Sequence, residues 1–391
     1  MSHSYFDKYI TSGESFPFAF APGRIEFLGN HLDYNGGNVL GVAIDAGIYC
    51  LGMPKTEPTI GLESEGFNDS KLLCSLNSIE IQKENLSWTN YPLGVLQELK
   101  NRKLAPTQGF HLAFSSNLPT SVGLSSSAAL ELATALVLLE LGNKRLPLKE
   151  VVRLCRYAEN NFVGMPCGIL DQGTSAFGKA NHLVKIDCKE EKFDCLPLPQ
   201  ASQTWIFDTG IKHDLVDSLY SERYNECQKA FEIIQQFNPS VTTLASCNPK
   251  ELDRLASEES LRKRATHVIE EQTRVESLIR GLNRGESPES LGKLLYQSHL
   301  SSSKNFENSC QELDFLAETL NHHPRVFGAR LTGGGFGGAV MAWTNQDFHD
   351  ADAIYIQELY YQRFSSSLSW HQFSPSDGAR LTPCPVSPSN N

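Results

Sequence analysis

The stretch GRIEFLGNHLDYNGG, residues 23–37, sets Arg24, Glu26, Asn30, His31, Asp33 and Asn35 among glycines and bulky apolar residues. Read locally it is a loop whose polar groups can hold a small ligand. Further on, Asp171 follows the run Gly168-Ile169-Leu170 and precedes Gln172. An aspartate there forms a turn, or serves as a base held against a substrate hydroxyl. A hydroxyl is a poor nucleophile at neutral pH. Phosphoryl transfer to it needs in-line positioning, Mg2+ on the phosphates, and a carboxylate or cation near the attacking oxygen. Arg24, Asp171, Glu159 and a serine-rich loop are the parts for that reaction, provided the fold brings them together.

The serine-rich loop is NLPTSVGLSSSAALEL, residues 117–132. Pro119 and Gly123 shape a turn, Leu124 follows, and Ser125, Ser126 and Ser127 open a long apolar helix. The free N–H groups and dipole of a helix start attract anions. A serine there caps the helix, or faces a metal. Three serines exceed what a cap needs, which favours a phosphate site. The chain has no GxxxxGK[ST], so this is not a P-loop NTPase. A second glycine run, GGGFGG at 333–338, matches G-x-G-x-x-G as a string but leads into the strand-like AVMAW. A dinucleotide fold needs a helix at that point, so a tight β-turn fits better.

These residues need elements to hold them. NVLGVAIDAGIYCLGM (38–53) and GFHLAFSS (109–116) read as strands, and SSAALELATALVLLEL (126–141) as a buried helix. Leu148, Val152, Cys155 and Phe162 share one helical stripe, and Glu159 falls on it. A carboxylate on a core-facing stripe is costly unless paired or metal-bound, or it caps the stripe's wet end. The polar connector CKEEKFDCLPLPQASQ places a boundary near residue 190, giving units 1–190 and 191–391. TWIFDTG (204–210) then reads as a strand. Amphipathic helices are expected over 214–236, 260–282, 308–320 and 349–364, and a closing strand near 368–373. The end of the chain, PVSPSNN, reads as a frayed tail.

The net charge of −11 argues against a nucleic-acid partner, which would need a basic stripe. The longest apolar run carries Glu131, Thr134 and Glu140, so it does not span a membrane. The N-terminal residues lack a signal-peptide core. Ten cysteines without CxxC or metal-ligand spacing suit a reducing, cytoplasmic setting.

Three stretches together, APGRIEFLGNHLDYNGG, LPTSVGLSSSAALE and GARLTGGGFGGAV, resemble the three signature motifs of the galactokinase–homoserine kinase–mevalonate kinase–phosphomevalonate kinase superfamily. Within it, WTNYPLGV, AENNFVGMPCGILDQ, FGKANHLVKIDC, IKHDLVDSLYSERYNEC, RATHVIEEQTRV and SHLSSSKNFENSCQELD resemble galactokinases, in order, from about Phe18 to Trp343. The resemblance implies an α+β, two-lobed kinase: an N-terminal lobe like ribosomal protein S5, a ferredoxin-like C-terminal lobe, and the active site in the cleft. It implies ATP and Mg2+, a hexose phosphorylated at C1, and a monomer. Asp171 is then the aspartate facing the anomeric hydroxyl, as base or as stabiliser of charge, with Arg24 beside it. Asn30, His31, Asp33, Gly168 and Tyr220 surround the sugar. Residues 119–127 wrap the ATP phosphates, Ser127 and Glu159 ligate Mg2+, Trp88 lies near the adenine, and 333–338 steadies the two other loops.

The chain departs from that pattern at Asn30, where galactokinases carry a glutamate that accepts a hydrogen bond from the C6 hydroxyl. Asn is shorter and neutral, and donates as well as accepts. Galactose remains the leading substrate. The alternatives are a sugar altered at C6 (galacturonate, a 6-deoxy sugar) or another hexose such as N-acetylgalactosamine or mannose. A non-catalytic sugar sensor is disfavoured by the intact serine loop. Ser121 and Gly41 also depart from the usual residues, glycine and proline.

Overall fold

In the computed structural model, which describes residues 4–10, 15–67, 71–119, 123–212 and 216–384, most of the presumed ligand loop begins as a strand. β1 (Phe18–Leu28) is buried along its whole length. A strand covered on both faces lacks in–out alternation, which is why it reads as a loop from sequence. Only residues 29–37 lie outside it, before β2 (Asn38–Lys55).

β3 (Thr59–Ser64), β4 (Leu72–Ser75) and β5 (Gly109–Ser116) follow, with α1 (Asn90–Asn101) between the last two. α2 (Ser126–Leu141) and α4 (Leu170–Phe177) pack against this sheet, and α3 (Leu148–Ala158) packs on α1, α2 and α4. β6 (His182–Asp187) and β7 (Lys192–Pro197) form a hairpin attached to the first residues of β2. The chain leaves this sheet only after Pro197, some residues beyond the connector's start.

β8 (Ser202–Lys212) opens a second, antiparallel sheet. It is followed by α5 (Val216–Phe237), α6 (Glu259–Arg284), α7 (Pro288–Ser301), α8 (Gln311–Asn321), β9 (Val326–Thr332), β10 (Gly337–Asn345), α9 (Asp350–Phe364) and β11 (Ser369–Phe373). Its order is β11-β8-β10-β9 among the described residues. Leu313, Leu316 and Leu320 of α8 and Ile356 and Tyr360 of α9 fill its core with Trp205 and Phe207 of β8. The chain then returns: β12 (Arg380–Leu381) pairs with β1, completing the first sheet in the order β12-β1-β2-β5-β3-β4. This is the two-sheet α+β organisation expected. The residues of GGGFGG join β9 and β10, an antiparallel pair, and open no helix.

Two short π-helical segments extend longer helices. Glu159–Val163 continues α3, and Ser302–Phe306 continues α7. Each ends on a left-handed residue, Gly164 (φ 84°) and Glu307 (φ 55°). Ser121 and the tail 385–391 lie outside the described residues.

Candidate active site

Arg24 and Glu26 are two residues apart on β1 and point to the same side. They meet a cavity of about 390 Å³ that is also lined by Asp33, Glu159, Asp171 and Tyr220. Arg24 is clasped at both ends. Its backbone N–H donates to Leu124 O at 3.0 Å. Its side chain donates to Gly123 O at 2.7 Å and, through Nε, to Asp171 Oδ1 at 2.8 Å. A second guanidinium nitrogen lies 2.8 Å from the same oxygen. Asp171 Oδ2 accepts from Ser125 Oγ at 2.6 Å. One strand, one glycine loop and the first turn of α4 are thereby tied to a single carboxylate.

Ser125 stands at the N-cap of α2, but its conformation is left-handed (φ 55°, ψ 51°) and it makes no side-chain cap. Its hydroxyl serves Asp171 instead. A non-glycine residue there carries backbone strain of about 1–2 kcal/mol. The first N–H groups of α2 are left without a side-chain partner from Ser125, which suits an incoming anion. Ser126 is exposed beside them, Leu124 is buried beneath, and Pro119 and Ser127 are half-buried.

Glu159 opens the first π segment and is buried. It accepts from Gln172 Nε2 at 2.6 Å and from Cys167 Sγ at 3.3 Å. Burial, then repulsion from Asp171, pushes its carboxyl up, against the pull of hydrogen bonds from Cys167, Ser127 and Gln172. Gln172 Nε2 also donates to Glu131 Oε2 at 3.0 Å. Glu131 is fully buried in α2, and burial followed by repulsion from Glu159 holds its carboxyl well above the usual range. Ser127 and Glu159 make a hard, all-oxygen pair beside a crowd of carboxylates, a donor set that fits Mg2+. Among the described residues no group of three acidic or His/Cys side chains forms a metal cage. None is needed where substrate phosphates complete the shell.

The sugar-loop residues gather on the other side of the cavity. His31 takes a left-handed turn (φ 61°), with Phe306 stacked on its ring at 4.0 Å. Its Nδ1 faces Tyr34 Oη at 2.9 Å and its Nε2 faces Asn308 Nδ2 at 2.9 Å. Tyr34, Asn308 and the Gly334 backbone together fix the orientation of this ring. Burial holds this imidazole well below its usual titration range, so it is neutral. Asp33 is pushed up to about 7 by burial, then by Asp171 and Glu26. A Cβ on Gly168 would fall 2.0 Å from Asp33 Oδ2, so only glycine lets the two loops meet here. Gly41 has a similar cause: a Cβ there would lie 2.4 Å from Thr174 Oγ1. The Tyr220 ring lies 5.6 Å from that of His31.

Asn30 is 1% exposed and bonded on every side. Its Nδ2 donates to Glu26 Oε1 at 3.0 Å and to Gly333 O at 2.9 Å. Its Oδ1 accepts from Asn308 at 3.1 Å and from Ser302 at 3.3 Å. Its backbone N–H and that of Gly29 both donate to Glu271 Oε1. Asn308 Nδ2 also donates to Gly334 O at 3.1 Å, and Phe336 N donates to Asn308 O at 2.7 Å. The third glycine loop is thus fastened to the sugar loop. Trp88 packs edge-on against Phe114, and it is not among the residues lining the cavity.

Several residues that shape the site carry little local signal. Glu131 stands out as an acid in an apolar helix. Glu271, Arg330, Phe306 and Asn308 come from the second half of the chain; each lies in a stretch that resembles galactokinases, but local spacing gives none of them a role.

Three family models match the chain. The model for the GHMP kinases N terminal domain matches residues 90–179, the galactokinase galactose-binding signature matches 5–54, and the GHMP kinases C terminal model matches 276–356. The galactokinase of Thermotoga maritima is 36% identical over 363 residues, covering 92% of this chain and 98% of its own. That of Bacillus subtilis is 32% identical over 372 residues, covering 94% and 95%. The crystal structure of Lactococcus lactis galactokinase complexed with galactose superposes with a TM-score of 0.91 at 31% identity, over 97% of this chain and 98% of that one. Methanococcus jannaschii mevalonate kinase shares the fold alone, at a TM-score of 0.65 and 20% identity. The chain belongs to the galactokinase family of the GHMP kinases.

Proposed function

We propose that this protein phosphorylates galactose at its anomeric C1 hydroxyl, using ATP, and releases galactose 1-phosphate and ADP. The observation that carries the reading is Asp171, locked between Arg24 and Ser125 where the sugar cavity meets the start of α2. Its Oδ2 keeps a lone pair beside the Ser125 bond. That oxygen accepts the C1 hydroxyl's hydrogen bond, orients the nucleophile, and takes or stabilises its proton as the bond to phosphorus forms. Arg24 keeps the carboxylate in place and supplies positive charge beside the developing negative charge. His31, Asp33, Gly168 and Tyr220 hold the sugar, with Asn30 behind them. Residues 119–127 carry the phosphates, and Trp88 borders the nucleotide.

Mg2+ held by Ser127 and Glu159 would neutralise phosphate charge and help align the transferred group. The boundary between the two units is proposed near residue 190, in the polar connector. Arg24, Asp33, Glu159 and Asp171 line one cavity of a single chain, so a monomer suffices for the chemistry. The ten cysteines are free, which supports a reducing, cytoplasmic setting.

The test is ADP release across galactose, N-acetylgalactosamine, galacturonate, glucose, mannose and fucose, with phosphorus NMR to locate the ester. Galactose gives the highest kcat/KM, and the ester is at C1. Asp171→Ala lowers kcat by about 100-fold or more while galactose still binds. Ordinary kcat in that variant removes Asp171 from the chemistry.

A further inference from the structure

Asn30 has no free hydrogen-bonding position for a sugar. Its two side-chain N–H groups face a carboxylate and a carbonyl oxygen, so its amide cannot be turned round without setting oxygen against oxygen. Both lone-pair directions of its Oδ1 face donors. The open group is the one it touches. Glu26 lines the cavity, and its Oε1 is taken by Asn30 and by Arg330 Nη1 at 3.1 Å. Among the described residues, its Oε2 has only a long 3.4 Å contact with Asn30.

Resting on the galactose reading above, we propose that Glu26 is the specificity-determining carboxylate of this site, accepting a hydrogen bond from a galactose hydroxyl remote from C1. Asn30 is the positioning residue that fixes it. The β1–β2 pairing is regular from Arg24 to Glu26, so the two side chains share a face. They stand about 6.5 Å apart along the strand, enough for a pyranose ring to reach from one to the other. Arg24 and Asp171 mark the C1 end, and Glu26 marks the opposite one. A negative charge at that end rejects a C6 carboxylate. Galacturonate, which a neutral Asn30 alone would admit, is therefore excluded.

The proposal is tested by pairing enzyme and sugar deletions. Kinetics are measured for galactose and its 2-, 3-, 4- and 6-deoxy analogues with the wild-type protein and with Glu26→Gln. The wild type penalises one analogue with a remote hydroxyl missing (3-, 4- or 6-deoxy) by about 100-fold in kcat/KM, because a buried acceptor is left unpaired. In Glu26→Gln, KM for galactose rises about tenfold while kcat changes less than threefold, and the penalty for that analogue alone shrinks about tenfold. If Glu26→Gln does not fold by circular dichroism, Glu26→Asp keeps the charge and withdraws it by one methylene, and the same selective change is expected. Equal loss on galactose and all four analogues, or an unchanged galactose KM in a folded variant, overturns the proposal and leaves Glu26 a structural partner of Arg330. Wild-type turnover of galactose checks the function separately: with it, a missing selective effect removes only Glu26, and without it the galactose reading itself falls.

Discussion

Asp33 is the residue whose charge is least settled at neutral pH. Burial and two neighbouring carboxylates push it up to about 7, against an ordinary 3.8. A sugar hydroxyl donates best to the anion, so ligand binding favours the deprotonated form. Below that pH the carboxyl must release a proton before it can accept, and affinity weakens. KM for galactose is therefore expected to rise about tenfold per pH unit as pH falls below 7, and to level off above it. Asp33→Asn removes the dependence, and a pH series of KM on both proteins checks this. Arg24, Asp33, Asp171 and Glu159 are legible in the sequence: the first two as charges in an apparent ligand loop, Asp171 as an acid after an apolar run, and Glu159 as an acid on an apolar stripe. The partners that decide their behaviour are not. Nothing local says that Ser125 turns its hydroxyl to Asp171 rather than to its own helix, or that Asn30 turns inward.

Both π segments stand at the site. An extra residue per turn pushes a helix out of register and re-aims the side chains around it. The first brings Glu159 to the cavity. The second brings Ser302 to Asn30 and lays Phe306 flat on His31. Arg223 Nε and Arg264 Nη1 anchor that second segment by donating to Phe306 O and Asn305 O. Phe306→Leu keeps the apolar volume and removes the ring stack. It is expected to raise the galactose KM severalfold with at most about 1.5 kcal/mol of lost stability, measured by steady-state kinetics and denaturant melts. The helices at 126–141 and 349–364 were legible because their apolar spacing is sustained. β1 was not, because a strand covered on both faces shows no alternation and its Arg24 and Glu26 imitate a loop. α7 was missed because Gly292 and its serines dilute the pattern.

Across the whole molecule, the second half of the chain holds the sugar loop in shape. Glu271 on α6 is fully buried and receives the N–H groups of Gly29 and Asn30 and the hydroxyl of Ser298 at 2.6 Å. Burial pushes its carboxyl up, but Arg274, His267 and Arg330 overcome that and hold it at about 2, below its ordinary 4.5. The stabilisation from this depressed pKa is complete above pH 4.5 and fades as pH falls towards 2. Glu271→Gln is expected to cost about 3 kcal/mol at pH 7, and the gap between its melting temperature and the wild type's should narrow below pH 4.5. Arg330 of β9 meets Glu26 of β1, so a buried ion pair ties the two sheets together beside the cavity. Such contacts join positions hundreds of residues apart, which is why the two-sheet plan could be read from motifs while its fastening could not.

β12 carries a consequence for how the molecule is made. β1 is made long before Arg380 and Leu381, which pair with Phe20 and Ala19 on its outer edge. Until then the strand that bears Arg24 presents unpaired backbone groups there to any passing chain. A growing chain therefore carries that edge open until β12 has been made, and through that interval sibling chains can add to it.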